Sequence, residues 1–188
     1  MLANFPKLKA IVAATASAAA FSLSGQALAQ AVPADVLLQD LASAGATEAA
    51  AIDRELQALW AKSGSPSMDL LLRRGTDAIE RGDLQQAAEH LTALTDHAPE
   101  FARGWYQRAR VYFAMGLYGP SVADLERALA LNPKDYNAIY ALGALFEQFR
   151  EPARAYQAYQ RAKAIHPHHE EVSSALERLK LSVEGREL

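Results

Sequence analysis

The sequence contains no cysteine. That removes disulfide bridges, thiolate nucleophiles and zinc–thiolate sites together. It has no surplus of positive charge either: 19 Lys and Arg stand against 22 Asp and Glu, a formal charge of -3. Non-specific binding to nucleic acid rests on phosphate neutralisation, so no nucleic-acid partner is expected. Val and Ile are sparse, whereas Leu, Ala, Glu, Arg and Gln recur, a mixture that favours helix over strand. No G-x-S-x-G, G-x-x-x-x-G-K-[ST] or H-E-x-x-H occurs. Serine-hydrolase, phosphate-loop and zinc-protease chemistry therefore lack their residues. The expectation is a non-enzymatic chain with no catalytic residue and no cofactor.

What is present begins with an export signal. Lys7 and Lys9 precede an uncharged, Ala-rich run from Ala10 to Leu23, and Ala27-Leu28-Ala29 supplies a small-x-small cleavage pattern. Residues 1–29 are expected to be a signal peptide, with a mature start at Gln30. The competing reading is a retained anchor, but the run is short of the about 20 strongly apolar residues a span needs. No integral span is expected after signal removal. No cysteine follows the cleavage site, which excludes a lipid anchor there. Export without disulfides suits the bacterial periplasm.

Pro99, Pro133 and Pro167 are separated by 34 residues each. Placing 68–101, 102–135 and 136–169 in register aligns more than proline. Gly75, Ala109 and Gly143 coincide, as do Ala87, Ser121 and Ala155, all small. Leu71, Trp105 and Ile139 coincide, as do Ala78, Tyr112 and Phe146, and Leu91, Leu125 and Tyr159. Within each segment the two small residues flank a turn: Arg81-Gly82-Asp83, Met115-Gly116 and Phe149-Arg150. In an antiparallel helix hairpin they meet at one height and let the backbones approach, with larger neighbours filling the seam. Each Pro ends a return helix, because it lacks an N–H and restricts its predecessor. Ser65-Pro66, Gly119-Pro120 and Glu151-Pro152 read as helix starts.

These residues resemble the tetratricopeptide repeat, a 34-residue helix–turn–helix unit with the pattern W-x2-L-G-x2-Y, A-x3-F, P. The middle segment reads Trp105-x2-Arg108-Ala109-x2-Tyr112, Ser121-x3-Leu125, Pro133. The third reads Ile139-x2-Leu142-Gly143-x2-Phe146, Ala155-x3-Tyr159, Pro167, and the first reads Leu71-x2-Arg74-Gly75-x2-Ala78, Ala87-x3-Leu91, Pro99. Arg74 and Arg108 depart from the pattern's leucine. The resemblance implies an all-α, right-handed superhelical stack of helix hairpins.

The organisation expected is a signal at 1–29, an N-terminal helical segment and linker at 30–64, and a repeat domain at 65–188. A helix from 170 to 184, with Val172, Leu176, Leu179 and Val183 on one stripe, would close the stack. Ala34–Ser43 and Thr47–Lys62 also carry helical spacing. Leu59 and Trp60 would be a liability if exposed, so the second of these helices is expected to stack on the first repeat. Carboxylate pairs such as Asp124-Leu-Glu126 read as a solvated helix face.

By resemblance, the first helix of each hairpin lines a groove for a peptide or partner helix. Its positions are Asp69, Leu72, Thr76 and Ile79, then Arg103, Tyr106, Arg110 and Phe113, then Asn137, Tyr140, Ala144 and Glu147. Arg103 and Arg110 share one face with Tyr106 between them, a geometry suited to an acidic segment or a C-terminal carboxylate across Arg103, Tyr106, Arg110 and Tyr140. Leu72 and Thr76 stand where the family's carboxylate clamp has Lys and Asn. The alternatives are a structural subunit that self-associates or docks in an envelope assembly, and a metal-binding protein using His166, His168 and His169. The histidine spacing is poor for a metal: Pro167 stiffens the turn and adjacent histidines point apart.

Overall fold

A computed structural model describes residues 32–184, apart from the side chains of 181–184. The expected signal peptide and cleavage site lie outside the described residues. So does the side chain of Val183. Among the described residues every regular element is a helix. Three hairpins form the repeats: α3 (Pro66–Glu80) with α4 (Leu84–His97), α5 (Ala102–Ala114) with α6 (Tyr118–Leu131), and α7 (Tyr136–Gln148) with α8 (Pro152–Ile165). α9 (Glu170–Glu184) packs on α8, and α1 (Ala34–Ser43) pairs with α2 (Ala46–Trp60). None of the described helices is long and apolar enough to cross a membrane.

The prolines act as their spacing predicts. Each return helix stops two residues earlier, at His97, Leu131 and Ile165, and the residue before each proline is driven out of the helical region. The freed proline carbonyls are taken up by the next hairpin. Arg127 donates to Pro99 O at 3.2 Å and Arg161 to Pro133 O at 2.7 Å, so the period recurs in hydrogen bonds.

Two helix starts differ from expectation. Ser65 precedes α3 but its side chain makes no capping bond. Asp69 instead accepts from the Ser63 amide and hydroxyl, which holds its carboxyl below the usual carboxylate range. α6 begins at Tyr118, ahead of Gly119-Pro120, so Pro120 falls in a first turn whose amides have no helical acceptor anyway. Asp83 and Asp135 are the working caps: Asp83 accepts from Gln86 N, Asp135 from Asn137 N and Ala138 N.

The small seam residues meet their large partners. Gly75 faces Leu91 and Gly143 faces Tyr159; a Cβ at Gly143 would lie 2.5 Å from Tyr159 Cε1. The Tyr159 hydroxyl donates to Glu147 at 2.6 Å, which leaves the ring little room to retreat. Gly143→Ala is therefore expected to cost about 1–3 kcal/mol by overpacking. Urea denaturation checks this; an unchanged midpoint would mean that the ring yields freely.

The N-terminal hairpin is not stacked on the first repeat. Leu37, Leu38, Leu41, Ala49 and Leu56 share one buried cluster with Tyr136, Ile139, Tyr159, Ala162 and Val172 of the third repeat and α9. Only Ala61, just past α2, joins the first repeat's cluster. α2 runs back along the turns that join one repeat to the next. Trp60 lies in a cleft with Phe101, Arg103 and Asp135, and its ring is 5.5 Å from that of Tyr136. Gln57 takes a hydrogen bond from Arg103 at 2.8 Å, and the Ala44 carbonyl one from His168 at 3.0 Å. Leu59 and Trp60 are partly covered, packing on the third repeat's cluster and lining a cleft with Phe101 and Arg103.

Asp124 is the second correction. It is 4% exposed and does not sit on a solvated face. Arg108, from the facing helix, gives it two hydrogen bonds of 2.7 and 2.8 Å and adds one to Thr95 at 2.8 Å. The Trp105 and Tyr112 rings lie 4.9 and 5.5 Å from the guanidinium. Bonding to Asp124 raises the Arg108 pKa further, against the effect of burial.

Candidate partner-binding groove

The first helices α3, α5 and α7 present the expected face, but their residues do not form one continuous cradle. Tyr106 lies beneath both arginines: the Arg103 guanidinium is 5.1 Å and that of Arg110 5.9 Å from its ring centroid. Burial raises the Tyr106 pKa, opposed by Arg110. Arg103 then turns to Gln57 of α2, while Arg110 is exposed and donates to Gln107 at 2.7 Å.

Two clefts result. One, of about 350 Å³, lies between α5 and α7 and is lined by Tyr106, Arg110, Phe113, Tyr140, Ala141 and Ala144, with Ala109, Ser121 and Leu125 at its floor. The other, of about 430 Å³, lies between α3 and α5 and collects Asp69, Leu72, Arg73, Thr76, Arg103 and Gln107. Ile79 packs against the first repeat's core instead.

The third repeat's groove positions are engaged by the end of the stack. Asn137 Oδ1 shares a hydrogen bond with His169 Nε2 at 3.2 Å, and Tyr140 stacks on the His169 ring with centroids 5.6 Å apart. Glu147 accepts from Tyr159 and, on two nitrogens, from Arg178 of α9. The hydrogen bonds from Arg178 hold the Glu147 carboxyl below its usual range, with the Tyr159 hydroxyl acting the same way. Of the proposed cradle, Tyr106, Arg110 and Tyr140 line one cleft, whereas Arg103, although also over the Tyr106 ring, opens onto the other.

The histidines line a wider cavity of about 840 Å³ with Asp53, Lys163, Glu170 and Glu171. His168 turns to Ala44, while His166 and His169 stay 5.4 Å apart, each edge-on to Tyr136. No group of three or more metal-ligating side chains among the described residues is placed to hold an ion. His166 is buried and its Nδ1 has no hydrogen-bond partner.

The part sequence reasoning missed is the anchoring of α2 on Tyr136. Its hydroxyl donates to Asp53, and Gln57 Nε2 donates to Tyr136 Oη at 2.9 Å and to Asp53 Oδ1 at 3.1 Å. Burial, then the bond to Asp53, raises the Tyr136 pKa. One signal was available. The sister repeats carry Met68 and Ala102 where the third has Tyr136, so a tyrosine there had no repeat-wide role.

Buried His166 and half-buried His169 both lie beside Tyr136. Burial lowers the pKa of His166, with His169 acting the same way and Asp53 opposing; burial lowers that of His169, with Glu171 and Asp53 opposing. A folded pKa below the unfolded value of about 6.5 contributes stability that is complete above that pH and lost as pH falls through the folded values. Thermal melts between pH 7.5 and 5 are thus expected to show Tm falling on the acid side of about 6.5. His166→Phe should flatten that slope. A slope unchanged by the substitution would assign it elsewhere.

The tetratricopeptide repeat family model matches residues 72–119 and 106–170, which together span more than half of the chain. The chain belongs to the tetratricopeptide repeat family. A TPR repeat-containing protein of Rhizobium etli is 28% identical over 120 residues, covering 64% of this chain and 59% of that protein. The human Superkiller complex protein 3 is 29% identical over 115 residues, covering 60% of this chain and 7% of that protein. The chain thus spans about three fifths of the first relative's length and a small fraction of the second's. Solved tetratricopeptide structures share the fold. The first TPR of Spaghetti (RPAP3), bound to an HSP90 peptide, has a TM-score of 0.60 at 21% identity, covering 62% of this chain and 93% of that one. The Yersinia enterocolitica secretion chaperone SycD, in complex with a YopD peptide, has a TM-score of 0.58 at 20% identity, covering 63% and 95%.

Proposed function

We propose that the protein is a non-enzymatic interaction module, exported to the bacterial periplasm, that holds a peptide or helix of a partner protein in the cleft between α5 and α7. The observation that carries this reading is the cleft itself: Tyr106, Phe113 and Tyr140 supply apolar walls, Ala141 and Ala144 leave room, and Arg110 stands exposed at the side. Tyrosine gives contact area with a polar tip, and an exposed guanidinium binds a carboxylate in two-point fashion. An acidic segment or a C-terminal carboxylate fits that chemistry. Two solved relatives in fold are recorded with peptides bound, which supports the mode of use.

The test is an array of acidic and C-terminal peptides probed with the full chain. A charge-assisted bond is worth about 1.5–3 kcal/mol, so Arg110→Ala should weaken the strongest binders about 10-fold or more. Arg103→Ala should do less, since Arg103 is already held by Gln57. Binding that survives Arg110→Ala removes the carboxylate reading. Cell fractionation with N-terminal sequencing tests the export; full-length protein retaining Met1 in the cytosol would refute it.

A further inference from the structure

The turns inside the three hairpins repeat every 34 residues at positions 82, 116 and 150. All three adopt positive φ: Gly82 76°, Gly116 75° and Arg150 60°. Glycine adopts that region without penalty, whereas an L side chain is strained there. Among the described residues Arg150 is the only non-glycine with positive φ. Its side chain is exposed, and no hydrogen bond or ion pair among the described residues engages it. Two sister turns show the unstrained solution, which makes Arg150 a position to read for function.

Its surroundings point the same way. Six large apolar side chains are exposed among the described residues, and three of them, Met115, Leu117 and Phe149, lie on the second and third of these turns. Phe113, Tyr118 and Phe149 form a run of rings with centroids 5.6 and 6.2 Å apart. The first turn is Arg81-Gly82-Asp83, so the apolar edge is confined to two turns. Phe113 also lines the α5/α7 cleft, which makes the edge continuous with it.

We propose that this edge, centred on Leu117, Tyr118, Phe149 and Arg150, is a docking surface for an acidic, amphipathic segment of a partner protein. The segment's apolar side chains cover the rings, and a carboxylate reaches Arg150. The one acid beside it, Glu151, is paired with Arg154, so Arg150 offers an uncompensated guanidinium next to an apolar strip and selects an acidic segment by sign as well as by area. The inference rests on the cleft reading for one point only, the route by which a partner leaving the cleft passes over Phe113.

The test selects a phage-displayed library of random peptides, about a dozen residues long, on the full chain. The winners are then measured on Arg110→Ala, Arg150→Gly and Leu117→Ser/Phe149→Ser chains. Enriched peptides should combine Leu or aromatic residues with Asp or Glu. Arg150→Gly should raise Tm by about 2–4 °C, because strain is relieved, and weaken those peptides about 10-fold or more. Amide shifts on peptide addition should include 115–118 and 149–150. Loss on Arg110→Ala alone, with Arg150→Gly unaffected, leaves the cleft reading standing and overturns this one; the reverse result does the opposite. No enrichment, neutral winners, or binding only to vesicles of anionic lipid overturns it as well. So does a self-associated state in light scattering that these peptides do not displace.

Discussion

Asp124→Ala is expected to destabilise the protein by about 3–5 kcal/mol, the cost of leaving a buried charge without its partner. Arg108 and Asp124 have side-chain exposures of only 12% and 6%, and the guanidinium is walled by Trp105 and Tyr112. With the carboxylate gone, Arg108 keeps Thr95 and two ring faces but no counter-charge. The third repeat shows what the site looks like without ions. The positions equivalent to Arg108 and Asp124 there are Leu142 and Ala158. The double substitution Arg108→Leu/Asp124→Ala copies that pair, and it should recover most of the loss, since an apolar pair of similar volume is often neutral against a buried ion pair. Thr95 still donates to Thr92 O at 3.0 Å, so no hydroxyl is orphaned. Urea denaturation of the two singles and the double completes the cycle. If Asp124→Ala costs no more than the 1 kcal/mol or so of an exposed pair, the burial assigned to this site is wrong.

That pair shows where sequence reading stops. The 34-residue period, the hairpin seams and the proline stops were readable because each is set by local chemistry repeated three times. Gly75 against Leu91 and Gly143 against Tyr159 follow from one rule about backbone approach. Arg108 broke the repeat pattern, and Asp124 two turns into the next helix broke it too. The two departures compensate one another in space, which a position-by-position comparison with the sister repeats does not reveal. The groove suffered in a different way. Spacing placed Arg103 and Arg110 on one face with Tyr106 between, and the structure has both over that ring. Spacing carries no information about competition, and Arg103 is taken by Gln57 of a helix 46 residues earlier. An amphipathic stripe states that a face is buried; it does not name the surface that buries it. Leu59 and Trp60 were correctly read as needing cover, and much of it comes from the third repeat's cluster.

The consequence of that placement is the second large effect. Leu56 is 0% exposed within the cluster shared by the N-terminal hairpin, the third repeat and α9. Leu56→Ala should cost about 2–5 kcal/mol, from lost transfer energy plus the cavity left behind. Location is the sharper part of the expectation. Had α2 stacked on the first repeat, α3 and α4 would lose amide protection first. Because it bridges Tyr136, His166 and the α9 start, hydrogen exchange in Leu56→Ala should accelerate first in α7 through α9, with α3 and α4 little changed. A repeat array normally unravels from its ends, since each unit touches only its neighbours. Here the N-terminal helices reach past two repeats to the third through Gln57, Asp53 and Trp60, converting an open row into one with a long-range tie. Loss of that tie should separate the melting of the first repeat from that of the third, giving two transitions where the parent is expected to give one. A single cooperative transition in Leu56→Ala, with exchange raised evenly along the chain, would show that the hairpin adds stability without organising the order in which the repeats let go.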